Sequence, residues 1–95
     1  MFAVTRLRVP ETAAADLAAA VGELLTALGA RPGFVDGEYG RSTEDGDLWA
    51  LVTRWDGVGS YRRGLSAAAV KIAGAPVWVH AVDEPGVYVC AEDPA

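Results

Sequence analysis

The fold is decided by residues 34–55, FVDGEYGRSTEDGDLWALVTRW, in which two runs of strand composition flank a turn. The runs are residues 34–42 and 47–55, which contain the β-branched and aromatic side chains typical of strands. The turn TEDG between them contains Asp45 and Gly46, which supply the positive-φ positions that a hairpin connection favours. The stretch therefore predicts a β-hairpin.

A strand and a helix are predicted before the hairpin. Residues 2–9, FAVTRLRV, read as a first strand that ends at Pro10. The helix that follows has Thr12 as its predicted N-cap, and Gly29 and Pro32 end it. Its apolar positions form a single stripe at helical spacing: Leu17, Val21, Leu24, Leu25 and Leu28.

Helical segments are predicted directly after the hairpin. Asp56 is the expected N-cap of a short helix with Val58, Tyr61 and Leu65 on one face. Ser66 is the expected cap of a second short segment that reaches Ala73.

The last third contains two segments of strand composition, VWVHAV at 77–82 and GVYVCA at 86–91. Either can form the final strand, and the other is then a helical or irregular connection. The order is β-α-β-β-α-β, which predicts an α+β fold of the ferredoxin-like plan, an antiparallel sheet with both helices on one face. Residues 1–95 form a single domain in this interpretation.

The third strand is apolar on both faces for most of its length. Trp49, Leu51, Thr53 and Trp55 alternate with Leu48, Ala50, Val52 and Arg54. The helices can cover only one of these faces, and an uncovered apolar face of this size calls for a partner. The alternation therefore predicts a homodimer in which two sheets face each other.

Composition excludes several classes of protein. A chain of 95 residues with 52% hydrophobic residues fits one globular unit. A net charge of −5 argues against a nucleic-acid partner. The lone Cys90 offers neither an internal disulfide nor metal-ligand spacing, which favours a reducing compartment. Without a signal-peptide pattern or an apolar run near the length of a membrane span, the expectation is a cytoplasmic protein that does not bind membranes.

The order of elements and four short motifs resemble the antibiotic biosynthesis monooxygenase domain, a branch of the dimeric α+β barrel superfamily. The motifs are RPGF at 31–34, TRW at 53–55, VGSYRRGL at 58–65 and VDEPGVYV at 82–89, so the resemblance covers essentially the whole chain. It implies a homodimer with one apolar pocket per subunit between the sheet and the helices. The best-studied members of this family oxidise phenolic polyketides, anthrones or quinols of secondary metabolism with molecular oxygen and use no metal or flavin.

The resemblance also implies particular site residues. A Trp and a Tyr spaced as Trp55 and Tyr61 belong to the family's pocket. Those enzymes use an Asn on a strand near the Trp, whereas this sequence contains no Asn. The haem-degrading relatives need an Asn on the first strand, near Thr5, and a Trp and a His in or after the second helix. Here that helix has neither and the only His is His80, so we do not expect haem degradation.

The residues themselves suggest a small set of catalytic groups. His80 is the only side chain whose ordinary pKa suits proton transfer near neutrality, which makes it the candidate general base or else a surface or core residue. Trp55 and Tyr61 are candidates to orient the substrate through indole N–H and hydroxyl groups, or else they only pack. The predicted substrate-binding residues are Thr5, Trp49, Leu51, Thr53, Arg63, Leu65 and Trp78.

Three functions remain open at this point. The first is a cofactor-independent monooxygenase or oxidase whose partners are a small aromatic substrate and molecular oxygen. The second is a non-oxidative enzyme, a cyclase or isomerase, that uses the same pocket. The third is a ligand-binding or dimerisation module without chemistry, in which Arg63 and the aromatic residues have only structural roles.

Overall fold

The structure, a computed structural model, describes residues 1–92, which form four β-strands and three α-helices. The strands are β1 (Phe2–Arg8), β2 (Phe34–Arg41), β3 (Leu48–Trp55) and β4 (Val87–Tyr88). The helices are α1 (Ala14–Gly29), α2 (Val58–Ser66) and α3 (Ala68–Trp78), and a 3-10 turn at Glu11–Ala13 precedes α1. The predicted α+β class, the ferredoxin-like order and the hairpin are confirmed.

The sheet has the strand order β2-β3-β1-β4, and every neighbouring pair is antiparallel. The long strands β1 and β3 pair over their full lengths, from Phe2 opposite Arg54 to Arg8 opposite Leu48. Because opposite residues point to the same face, this register assigns alternate residues of both strands to a helix-covered face and to an open face.

The core lies between the helix-covered face and the helices. Ala3 and Leu7 of β1 and Leu51 and Trp55 of β3 are buried there. They pack against the stripe of α1 and the buried side of α3, from which Leu17, Val21, Leu24, Leu28, Val70 and Val77 are buried. The helical spacing of the α1 stripe is what turns these leucines and valines toward the sheet.

The start of α1 differs from the prediction. The N-cap position is Ala13, with no side-chain cap, and Thr12 lies inside the 3-10 turn. The stretch Glu11–Gly29 is long and apolar enough to cross a membrane, which corrects the expectation that no run reaches that length. In this fold it is the core helix of a globular domain, because its apolar stripe is packed against the sheet and α3.

The loop of the hairpin is stabilised by side chains and not by positive φ. Among residues 1–92 the only residue with positive φ is Gly33, so the predicted positive-φ conformation of Asp45 and Gly46 is wrong. The Ser42 hydroxyl accepts hydrogen bonds from the backbone N–H groups of Glu44 and Asp45, each at 3.1 Å. These local bonds to backbone amides take the place of a tight primed turn.

The helical segments after the hairpin begin without the predicted caps. Gly57 is at the N-cap of α2, so Asp56 is not its cap, and Ala67 is at the N-cap of α3. Ser66 is the last residue of α2, and its hydroxyl donates back to the Arg62 carbonyl at 2.8 Å.

The helix α3 is longer than predicted, because it continues past Ala73 to Trp78. The segment 77–82 therefore begins as the end of a helix, and only Ala81 makes an isolated bridge, to Leu7. The final strand is supplied by segment 86–91, in which Val87 and Tyr88 pair with Ala3 and Phe2.

The open face of the sheet combines an apolar centre with charged pairs. Arg6 pairs with Glu84, and Arg8 pairs with Asp45. Asp36 and Glu38 both contact Arg54, at 2.8 and 3.4 Å. Phe2, Val4, Leu48, Ala50 and Val52 are half-buried between these pairs.

We predict that Gly33→Ala destabilises the fold by about 2 kcal/mol, because a side chain at positive φ is strained. Gly33 has φ 87°, and a Cβ there would overlap the Ser60 side chain and lie 2.6 Å from Asp56 Oδ1. Gly22→Ala is the matched control, since its Cβ meets nothing within 4 Å and helical Ala is favoured over Gly by about 0.5–1 kcal/mol. Urea unfolding measures both, and equal stabilities of the two variants would contradict the strain at Gly33.

Candidate functional site

A cavity lies in the interior, between the helix-covered face of the sheet and the helices. Its volume is about 20 Å³, and since a single water needs about 10–15 Å³ by this measure, the cavity has room for about one water molecule. The lining residues are Ala3, Thr5, Leu28, Leu51, Thr53, Tyr61, Leu65 and Trp78.

Most of the predicted substrate-binding residues meet at this cavity. Thr5 and Thr53 project from neighbouring central strands onto the same face, because Thr5 is opposite Leu51 and Thr53 is opposite Ala3. Tyr61 and Leu65 reach the cavity together because they are four residues apart on α2. Trp78 reaches the cavity as the last residue of α3, a helix that is longer than predicted.

The polar groups of the lining are three hydroxyls, those of Thr5, Thr53 and Tyr61, and the indole N–H of Trp78. No charged side chain lines the cavity. The Thr53 hydroxyl accepts a hydrogen bond from the indole Nε1 of Trp55 at 3.1 Å. Its own proton is then free to be donated, so Thr53 is held as a hydrogen-bond donor by a buried neighbour.

Trp55 lies behind the cavity wall and not in it. It is 3% exposed and packs edge-on against Phe34 and Tyr61, with ring centroids 5.1 and 5.8 Å apart. On its other side the ring lies directly on α2 at Gly64, where an added Cβ would be 2.5 Å from Cη2. Trp55 therefore positions Thr53 and Tyr61 without lining the cavity.

Tyr61 is at the boundary between the cavity and a crevice of about 250 Å³ beside β1. The crevice lies where residues 83–85 separate from β1. On one side of this gap the Val82 N–H donates to the Arg6 carbonyl at 2.9 Å, and on the other the Val4 N–H donates to the Gly86 carbonyl at 2.7 Å. The Tyr61 phenol is protonated at neutral pH, and burial raises its pKa further, above the ordinary value of 10.0.

His80 is not brought to this cavity. It follows the end of α3, where its backbone carbonyl accepts from the Arg8 N–H at 2.9 Å and its own N–H donates to the Val77 carbonyl at 3.1 Å. Its side chain lines neither the cavity nor the crevice at Tyr61.

Trp49 and Arg63 are also elsewhere. Trp49 stacks with Tyr39 at 6.2 Å, Arg41 lies 4.6 Å from its ring centroid, and its indole N–H is buried without an acceptor. Arg63 is exposed and donates to the Ser60 hydroxyl at 3.3 Å.

Sequence reasoning missed Ala3 and Leu28 as lining residues, although both had a signal. Ala3 shares its strand face with Thr5, and Leu28 belongs to the predicted stripe of α1. It also missed Gly64 and Gly74, on which two tryptophan rings rest, because nothing in a single sequence marks a glycine as a contact surface. Within residues 1–92, no group of three or more His, Cys, Asp or Glu side chains is placed to hold a metal ion.

Solved structures share this architecture over almost the whole chain. SnoaB, a cofactor-independent oxygenase from Streptomyces nogalater, superimposes with a TM-score of 0.83 at 17% identity, covering 97% of this chain and 93% of SnoaB. An asparagine-to-alanine variant of SnoaB gives the same values. A conserved protein from Methanosarcina mazei has a TM-score of 0.74 at 14% identity, covering 90% of this chain and 84% of that protein. At these identities the likeness shows the fold alone.

Comparison of the sequence with known proteins adds the family. No curated protein matches the chain. The family model described as antibiotic biosynthesis monooxygenase matches residues 1–71, a range that includes Thr5, Thr53, Trp55, Tyr61 and Leu65. The chain therefore belongs to the antibiotic biosynthesis monooxygenase family.

Proposed function

We propose that the protein is a homodimeric, cofactor-independent monooxygenase that oxidises a small phenol or quinol, polyketide-like in structure, with molecular oxygen. Membership of the monooxygenase family supports the reaction type. The observation that carries the proposal is the convergence of three hydroxyls, from Thr5, Thr53 and Tyr61, on an otherwise apolar interior cavity. Apolar walls with a few fixed polar groups are what an aromatic substrate with one or two oxygens requires.

The reaction needs no external reductant, because the substrate supplies the electrons. In an anthrone-type substrate the reacting CH₂ carbon loses two hydrogens and gains one oxygen atom as a carbonyl. The second oxygen atom leaves as water with those two hydrogens, so CH₂ and O₂ become C=O and H₂O. The difficult step for the protein is to favour the electron-rich anion of the substrate, which then reacts with oxygen.

The hydroxyl groups stabilise that anion by donating hydrogen bonds. Tyr61 is a neutral donor at neutral pH, as any phenol with an ordinary pKa is, and burial shifts its pKa further above neutrality. Thr53 keeps its proton for donation, because its hydroxyl oxygen accepts a hydrogen bond from Trp55 Nε1. Donors that are already oriented stabilise a developing oxyanion without reorganisation, and removal of one such donor lowers kcat by about 10² to 10³ in a well-studied hydrolase.

The lining contains no carboxylate or imidazole to accept the substrate's proton. In this mechanism the proton leaves to water in the crevice beside Tyr61, which shares Ala3, Thr5 and Tyr61 with the cavity. The alternative, His80 as the general base predicted from the sequence, is distinguished from this route by the variants below.

The open face of the sheet is the proposed dimer interface. Val4 and Val52 are opposite each other at its centre, and both are half-buried in the single chain. The charged pairs of Arg6 with Glu84 and of Arg54 with Asp36 surround this centre. An apolar centre with a charged rim is the usual anatomy of a protein interface.

Oxygen uptake with a panel of anthrones, naphthols and hydroquinones tests the activity. Tyr61→Phe removes one proposed donor and keeps the ring, so we expect uptake to fall by about 10². His80→Ala is expected to lower uptake less than threefold, since the side chain lies outside the cavity. A loss in His80→Ala as large as in Tyr61→Phe, with an altered pH profile, would instead identify His80 as the base.

The same panel under anaerobic conditions separates oxidation from other chemistry. A monooxygenase leaves every substrate unchanged without oxygen. Substrate conversion in the absence of oxygen would reject the oxygenase proposal and favour a cyclase or isomerase in this cavity. Binding without conversion under either condition would favour a ligand-binding module.

Thr53→Val tests the hydrogen bond that holds the donor. The change keeps the shape of the side chain but leaves the buried Trp55 N–H without an acceptor, at a cost of about 1–3 kcal/mol in the free energy of unfolding. Thr43→Val, on the exposed hairpin loop, is the control and is expected to change stability by about 0.5 kcal/mol or less. In a Trp55→Phe background the effect of Thr53→Val should shrink, and an undiminished effect there would show that the bond is not its cause.

Val52→Glu tests the interface. A carboxylate at the centre of a covered apolar face is desolvated without a partner, and it also faces Glu38 on the neighbouring strand. We expect the wild type to be a dimer and Val52→Glu a monomer at micromolar concentration in light scattering. Val35→Glu, at a valine that is 62% exposed, is expected to stay dimeric. A monomeric wild type would reject the interface outright.

A further inference from the structure

We propose that the indole of Trp78 fills the place of the substrate in the unliganded protein, and that a neutral hydroxylated aromatic molecule displaces it. This inference rests on the proposed function, in that it takes the interior cavity as the binding site. The inference adds to the proposed function the residue that sets the size limit of the site and the preference of the site for a neutral ligand.

The cavity is too small to admit an aromatic ligand unless a lining side chain moves. About 20 Å³ is available, whereas a dry cavity of about 150 Å³ is needed to hold a ligand as small as benzene. Interiors are packed too tightly for a ring to enter without the displacement of a side chain. Binding therefore removes at least one lining side chain from its present position.

Burial separates the fixed side of the lining from the side that can move. Ala3, Leu28, Leu51 and Thr53 are buried and belong to the sheet and α1, and Thr5, the remaining sheet residue of the lining, is half-buried. By contrast, the helical residues on the other side are only half-buried, namely Tyr61, Leu65 and Trp78. Trp78 has the largest of these side chains, and its removal opens the most space.

The position of Trp78 in α3 favours its movement. It is the last residue of the helix, and the next residues make the short-range bonds His80 N–H to Val77 carbonyl and Ala81 N–H to Trp78 carbonyl. Pro76 has no N–H, so the final turn of α3 lacks one helical hydrogen bond. A terminal turn with fewer backbone bonds opens at lower cost than the helix interior.

Gly74 makes the present position of the indole possible. The ring lies against α3 where a Cβ on Gly74 would be 2.9 Å from Cε2 and closer still to Nε1. Any side chain at position 74 must push the ring away from the helix. Since the remaining cavity is too small to receive an indole, the ring would move outward, toward its solvent-exposed side.

The groups left behind define the ligand. With the indole displaced, the site keeps apolar walls and the hydroxyls of Thr5, Thr53 and Tyr61, without a charged side chain. A carboxylate would lose its hydration without an ionic partner, whereas a phenolic hydroxyl can pair with these donors and acceptors. The site therefore favours a neutral hydroxyaromatic over an aromatic acid of the same size.

Calorimetric titration with 1-naphthol, naphthalene and 1-naphthoate tests the proposal. In Trp78→Ala the place of the indole is already empty, so we expect 1-naphthol to bind at least tenfold more tightly than to the wild type. Naphthalene is expected to bind more weakly than 1-naphthol, and 1-naphthoate at least tenfold more weakly. The control is Tyr39→Ala, which removes an exposed aromatic ring away from the cavity and should leave all three affinities unchanged.

An unchanged affinity for 1-naphthol in Trp78→Ala, an equal gain in Tyr39→Ala, or equal binding of 1-naphthoate would each overturn the proposal. Gly74→Ala tests it with the tryptophan in place, and its control is Gly22→Ala, which meets open space. We expect only Gly74→Ala to raise both the affinity for 1-naphthol and the quenching of tryptophan fluorescence by acrylamide. No change in either quantity would contradict the displacement.

The binding experiment and the oxygen assay test the two proposals separately, so either proposal can be rejected while the other stands. If Trp78→Ala gains affinity for 1-naphthol but no variant consumes oxygen with any panel member, Trp78 sets the size limit of a binding site and the oxygenase proposal is rejected. If the wild type consumes oxygen and Trp78→Ala gains no affinity, the oxygenase proposal stands and the role of Trp78 is rejected.

Discussion

The packing of Trp55 is the constraint on which the site depends. Its ring fills the space between the end of β3 and the helix α2, edge-on to Phe34 and Tyr61 and in direct contact with Gly64. Ser60 and Gly64 of α2 are buried, and Val58, Tyr61 and Leu65 pack against the core. Because Gly64 and Tyr61 both contact the indole of Trp55, the position of α2 depends on this ring.

The sequence predicted the architecture where periodicity was strong and failed where a local signal competed with tertiary contacts. The α1 stripe and the alternation in β3 report burial directly, so the order of the elements was predicted correctly, whereas the choice of the covered face of β3 was left open. Thr12, Asp56 and Ser66 are good capping residues in isolation, yet none caps a helix here. At Asp56 the backbone N–H instead donates to the Gly33 carbonyl at 2.8 Å, a long-range contact that no local pattern reveals.

The candidate site was only partly predictable for a related reason. Thr5, Leu51 and Thr53 could be placed by strand alternation, and Tyr61 and Leu65 by helical spacing. Trp78 was predicted as a site residue on a segment of strand composition, whereas it reaches the cavity as the last residue of a helix that contains Pro76. Its contact with Gly74, four residues earlier, exists only in the helical conformation, and strand composition concealed it.

The absence of asparagine gives the hydroxyls their importance. An oxyanion needs a neutral donor that does not carry a competing charge, and side-chain amides are a common solution. Here the Thr53 hydroxyl accepts from the buried indole N–H of Trp55 and keeps its own proton for donation, and burial raises the pKa of the protonated Tyr61 hydroxyl. Both effects depend on the same ring, since Trp55 bonds to Thr53 and packs against Tyr61. A packing residue outside the cavity thus positions two of the hydroxyl groups that line it.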